Sequence, residues 1–134
     1  MAEANFVNGA GGSITPSTFV VFDTTNPKAV NQAVGSSAFI IGVAQEWSKY
    51  APIPGNSTVA ADTAGDPLRI YQEGESMVML NSTSAGWTAG DRLTANSAGF
   101  GVTASGSVYY GAVALSTMTG LGLGPVIVLV GKNA

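Results

Sequence analysis

The chain contains no cysteine and no histidine. Without cysteine there is no disulfide, no thiol nucleophile, no zinc–thiolate site and no iron–sulfur ligation. Without histidine the usual general base near neutral pH and the commonest transition-metal ligand are both missing. Charge is scarce as well. Charged residues make up 10% of the 134 residues, against about 25% in an ordinary soluble domain. The five basic residues (Lys28, Lys49, Arg69, Arg92 and Lys132) are scattered and the net charge is −3, so no footprint for a phosphate backbone exists and nucleic acid is not an expected partner. No apolar run is long enough for a membrane-spanning helix, the longest being Pro125–Val130, so no membrane partner is expected. The start, Met1–Asn5, is acidic and polar where a secretory leader needs a basic and then an apolar stretch, and synthesis in the cytoplasm is expected.

What fills the chain is small and uncharged. The hydrophobic fraction is 46%, with 18 glycines among many Ser, Thr, Ala and Asn residues. Low surface charge leaves little repulsion between copies, which favours self-association. The length fits a single domain with one modest core.

The apolar residues fall in short β-branched runs broken by turn clusters. Thr18–Phe22 ends at Asp23-Thr24-Thr25-Asn26-Pro27. Lys28–Ala33 alternates weakly, and Ala38–Trp47 reads as a central strand with Gly42 as a bulge or close-approach point. Leu68–Tyr71 and Ser76–Leu80 flank Gln72-Glu73-Gly74-Glu75, which predicts a hairpin. Arg92–Ala95 and Phe100–Thr103 flank Asn96-Ser97-Ala98-Gly99, which predicts a second. Ser107–Leu115 and Pro125–Val130 complete the series. About nine short strands separated by turns predict an all-β barrel or sandwich. The stretch Tyr50–Gly65 reads as a long loop, with Trp47, Tyr50 and Ile53 as apolar points packing on the domain's own core or on a partner. Residues 1–13 carry three glycines and one apolar pair, Phe6-Val7, and read as a flexible arm.

Phrases recur along the chain. Thr63-Ala64-Gly65-Asp66-Pro67-Leu68 returns as Thr88-Ala89-Gly90-Asp91-Arg92-Leu93. Ile14-Thr15-Pro16 precedes Ile41–Ala44 much as Trp87-Thr88-Ala89 precedes Gly111–Ala114. The expected organisation is an arm over 1–13 and a single β domain over 14–134, built from related halves at about 14–80 and 87–131.

The eight acidic residues are Glu3, Asp23, Glu46, Asp62, Asp66, Glu73, Glu75 and Asp91. Most fall at turns, where Asp is favoured because its side chain bonds nearby backbone. Asp62 and Asp66 lack a calcium-loop pattern. Gly120-Leu121-Gly122-Leu123-Gly124 lacks the lysine of a phosphate-binding loop. Serines have no partner base. No catalytic, cofactor-binding or metal-ligating residue is assigned, no cofactor is expected, and an enzyme is not the expected reading.

The order of the Gly-Asp turns, the hairpin around Gln72–Glu75, Trp87–Asp91, the hairpin at Ala98-Gly99, and Tyr110–Leu115 leading to Val126–Val130 resembles the small capsid cement or decoration proteins of tailed bacteriophages. The likeness covers residues 60–131 best, with 14–47 as a divergent first copy. The resemblance implies a β-barrel or β-tulip domain on the outside of an icosahedral head, synthesised in the host cytoplasm. It also implies binding as a homotrimer that bridges major capsid subunits, with the N-terminal arm and its Phe6 and Val7 in contact with the shell. A second reading is a carbohydrate- or receptor-binding β module of a head fibre or tail tip. Trp47, Tyr50, Trp87, Tyr109 and Tyr110 would then be its stacking platforms.

Overall fold

The computed structural model describes residues 3–9, 14, 17–26, 28–44, 67–72, 74–80, 86–97, 99–119 and 122–133. Among these the chain is all β. The strands are β1 (Glu3–Asn8), β2 (Phe19–Phe22), β3 (Ala29–Gln32), β4 (Ile40–Ala44), β5 (Pro67–Tyr71), β6 (Gly74–Leu80), β7 (Arg92–Ala95), β8 (Gly101–Thr103), β9 (Tyr109–Ala114) and β10 (Gly122–Lys132).

The first five strands close into a barrel in the order β1-β3-β2-β4-β5, with β5 returning to β1. The last five form an open sheet in the order β6-β10-β9-β7-β8. Advancing every strand of the barrel by five turns its antiparallel pairs β1–β5, β4–β5, β2–β4 and β2–β3 into β6–β10, β9–β10, β7–β9 and β7–β8, all of them present. The two units differ at one joint. In the barrel, β1 and β3 run parallel, with Val7 opposite Ala29 and Asn8 opposite Val30. The matching strands β6 and β8 approach without a ladder among the described residues.

This arrangement corrects three expectations. Residues 3–8 are an integral strand and not a free arm, because β1 pairs along its length with β5 from Glu3↔Tyr71 to Val7↔Pro67, and Phe6 is buried inside the barrel. β5 and β6 are not a hairpin. β5 pairs with β1 and β4 while β6 pairs with β10, so β5 belongs to the first unit and β6 to the second. Gly74–Leu80 therefore lies in the second sheet and not in the first half. The second hairpin forms as expected, with Leu93 opposite Thr103 and Ala95 opposite Gly101. Asn96 fixes its turn: the backbone N–H of Phe100 donates to Asn96 Oδ1 at 3.1 Å and that of Gly99 to the Asn96 carbonyl at 3.1 Å. Gly99 supplies the left-handed φ of 84° that the turn requires.

Two cores follow from strand alternation. Phe6, Ile14, Val20, Val30, Ile41, Ala44 and Ile70 fill the barrel. Phe19, Ala33, Ile40 and Val43 leave the barrel's outer side and join Val78, Trp87, Leu93, Ala95, Ala112, Ala114, Val126 and Val128 of the second unit. A bulge beside Gly42 serves both cores. Val20 pairs with Gly42 and Val21 with Ile40, which leaves Ile41 as the extra residue. The bulge restarts the alternation, so Ile40 and Val43 face the second unit while Ile41 and Ala44 face the barrel. Fully burying each large aliphatic or aromatic side chain of this kind contributes roughly 1.5–3 kcal/mol. The shared core makes the units one packed body. A methyl group at Gly111 would lie 2.6 Å from Ile40 Cγ2 and 2.7 Å from Phe19 Cε1, so the backbone of β9 sits directly on the barrel. Backbone bonds also cross the seam, from Phe19 N–H to the Gly99 carbonyl at 3.0 Å and from Tyr109 N–H to the Ser36 carbonyl at 3.3 Å.

Candidate interaction surface

The described carboxylates are committed to turns. Asp23 Oδ1 accepts from the backbone N–H of Thr25 at 2.8 Å, and Asp23 Oδ2 accepts from Asn26 Nδ2 at 3.0 Å. Asp91 Oδ2 accepts from Thr88 N–H at 2.9 Å and from the Thr103 hydroxyl at 3.3 Å. The Asp91 N–H donates back to the Thr88 carbonyl at 3.0 Å, with Gly90 at φ 93° between them. This is the second copy of the Thr-Ala-Gly-Asp phrase, and its acid builds a tight turn. Among the described residues no group of three or more acidic side chains stands together as a metal site.

The surface feature with the most definite geometry is a row of aromatic rings. Phe6 meets Phe22 edge to face at 6.3 Å, Phe22 stacks on Phe39 at 6.5 Å and 13°, and Phe39 meets Tyr109 edge to face at 5.8 Å. The row starts inside the barrel at Phe6, emerges at its rim and ends on β9. Phe22 continues the barrel-facing side of β2, two residues past Val20, beyond the filled interior. It is 50% exposed, and Phe39 is 42% exposed. A cation closes each end. Lys28 Nζ lies 4.7 Å above the Phe6 ring and Lys132 Nζ lies 5.2 Å above the Tyr109 ring. Arg92 stacks over the neighbouring Tyr110 at 4.9 Å while donating to Asn133 Oδ1 at 2.9 Å.

A second apolar surface lies on the open sheet. Along β10, Val126 and Val128 enter the core while Ile127 and Leu129 alternate outward, and Leu123 and Leu115 are also exposed.

The residues singled out from sequence divide as follows. Phe6 is a barrel core residue that also begins the aromatic row, and Val7 is half-buried beside it on β1. Trp47, Tyr50 and Ile53, with the long loop around them, lie outside the described residues. Trp87 is not a stacking platform, because it is 4% exposed and its indole N–H donates to the Ser116 carbonyl at 3.0 Å. Tyr109 and Tyr110 each have a cation over the ring. Phe22, Phe39, Lys28 and Lys132 were not apparent as a surface from the sequence. They are distant along the chain, and only the barrel's closure and the packing of β9 on it bring them into line.

Among solved structures that share this architecture, one matches across its whole length. It is the N base of the head fiber gp8.5 of bacteriophage phi29, which matches with a TM-score of 0.55 and 18% identity over 99% of both chains. At that identity the likeness is one of fold. No protein-family model and no curated protein matches the chain.

Proposed function

We propose that this chain is a structural protein of a tailed-phage virion, attached to the outside of the head, where it forms the base of a fibre. The observation that carries the reading is the fold match with a head-fibre base, which covers 99% of both chains. The low charge and the commitment of Asp23 and Asp91 to turns agree with a role of contact and not of chemistry. Self-association as a homotrimer belongs to the same proposal. The outer stripe of β10, with Ile127 and Leu129 exposed, supplies an apolar surface for contact between identical copies.

Cementing of neighbouring major capsid subunits is a second role for the same location, favoured by the scarcity of charge and by a fold that offers broad apolar faces. A clamp stabilises whatever assembled state it binds, by mass action.

Quantitative analysis of purified particles tests the location: the protein is expected at a fixed ratio to the major capsid protein. Its presence in infected-cell lysate but never in particles would sink the proposal. Heads assembled without the protein separate the two roles. A fibre base leaves their resistance to heat and chelators unchanged, whereas a cement protein leaves them prone to rupture.

A further inference from the structure

Lys28 has a left-handed backbone, φ 59°, at a position that glycine fills without penalty. The fold does not need a lysine there, since its side chain is exposed and its ammonium rests over the Phe6 ring, at the barrel end of the aromatic row. Lys132 holds the same position at the other end. Two of the five basic residues of an acidic chain thus bracket one row of rings, of which Phe22 and Phe39 are exposed. Asp23, next to Phe22 in sequence, turns its carboxylate onto Thr25 and Asn26.

We propose that the row from Phe6 to Tyr109, with Lys28 and Lys132 at its ends, docks on an acidic, apolar-centred patch of the shell protein beneath. This rests on the head-attached reading above. Charge complementarity selects the occupant. Exposed phenylalanines supply desolvated contact area, and a cation at each end fits carboxylates spaced along the partner. A two-fold contact between copies through this row would bring lysines against lysines, whereas a three-fold contact would set the row on a different surface of the same chain, so oligomeric state is measured beside head binding. The apolar β10 stripe is available for contact between copies. Two lysines on a chain of net charge −3 are too few for a nucleic-acid backbone.

The test is co-sedimentation of the full chain with heads that lack it, at low and high ionic strength, alongside light scattering for oligomeric state and thermal melting. Lys28→Glu with Lys132→Glu is expected to weaken binding by about tenfold or more at low salt, while the oligomeric state stays that of the wild type and the melting temperature falls by only a few degrees, from the loss of the two ring contacts. Phe22→Gln with Phe39→Gln is expected to weaken binding at both salt concentrations. Lys28→Gly is expected to melt no lower than the wild type yet bind less tightly, which separates a docking lysine from a structural one. Undiminished head binding by the doubly charge-reversed protein would overturn the docking face while leaving head attachment standing. Dissociation of its oligomer would reassign the row to contact between copies. If the wild type itself fails to sediment with heads, the head-attached reading falls and takes the shell partner with it.

Discussion

Trp87→Ala is the substitution with the most to say about this fold. The indole lies between two strands that carry no side chain at the point of contact. A methyl group at Gly101 on β8 would lie 2.8 Å from Trp87 Cζ3, and one at Gly124 on β10 would lie 2.6 Å from Cζ2. On its own strand segment Trp87 exchanges two backbone bonds with Met118, each 2.9 Å long. Emptying a buried tryptophan site costs about 3–5 kcal/mol. The Ser116 carbonyl, bonded to the indole at 3.0 Å, loses its donor at a further cost of about 1 kcal/mol. The upper part of that range is therefore expected, and for a chain of this size it lowers the melting temperature by about 3–4 °C per kcal/mol. Urea unfolding followed by circular dichroism, at fixed protein concentration so that any oligomer contributes equally, measures it. The geometry makes a sharper claim through a double-mutant cycle. Gly101→Ala alone overpacks the slot and costs about 1–3 kcal/mol. With Trp87 already replaced by Ala, the new methyl enters vacated space and retains only its conflict with Val78 Cγ1, also at 2.8 Å. A coupling of about 1 kcal/mol or more is expected. Costs that add within about 0.5 kcal/mol would refute the placement of the ring against β8.

Three other perturbations test different parts of the structure. Deleting residues 1–8 removes β1 and leaves β3 and β5 with open edges, so amide exchange in both strands is expected to rise steeply and the melting temperature to fall; a truncated protein of unchanged stability would return those residues to the status of an arm. Gly111→Val pushes β9 off Phe19 and Ile40 and is expected to cost at least about 1–3 kcal/mol in urea unfolding, with both units losing stability together. Asp91→Ala removes the acceptor of Thr88 N–H and the Thr103 hydroxyl; at this partly exposed turn about 1 kcal/mol is expected, whereas a loss above about 3 kcal/mol would mean that the turn anchors more than the hairpin next to it.

Strand positions were legible in the sequence wherever β-branched or aromatic runs met turn chemistry. Phe19–Phe22, Arg92–Ala95 and the Asn96–Gly99 turn formed where expected, and the bulge sits beside Gly42. β1 was not legible, because Glu3-Ala4-Asn5-Phe6-Val7-Asn8 has weak strand propensity and owes its conformation to neighbours on both sides. The supposed hairpin at 72–75 failed because a glycine-containing turn shows that the chain bends but not which strand it bends towards. The recurring Thr-Ala-Gly-Asp phrase misled in a similar way. One copy precedes β5 and the other precedes β7, strands that hold different places in their units, since the counterpart of β5 is β10 and that of β7 is β2. The looser echo between Ile41–Ala44 and Gly111–Ala114 has the correct register, as β4 and β9 are counterparts. The aromatic row was out of reach because its members meet only after both units have closed and packed.

The unequal closure of the two units bears on how each tolerates sequence change. In the first, β1 and β3 are joined by main-chain pairing, and almost any residue other than proline can supply that. In the second, β6 and β8 are held together by Val78, Trp87 and the bare backbone of Gly101. At that joint the pairing itself makes no demand on side chains, and drift is limited by burial, since Asn8, Ala29 and Val30 lie inside. The same joint in the second unit accepts very few residues, so in divergent copies of this architecture the tryptophan and its facing glycine should change together or not at all.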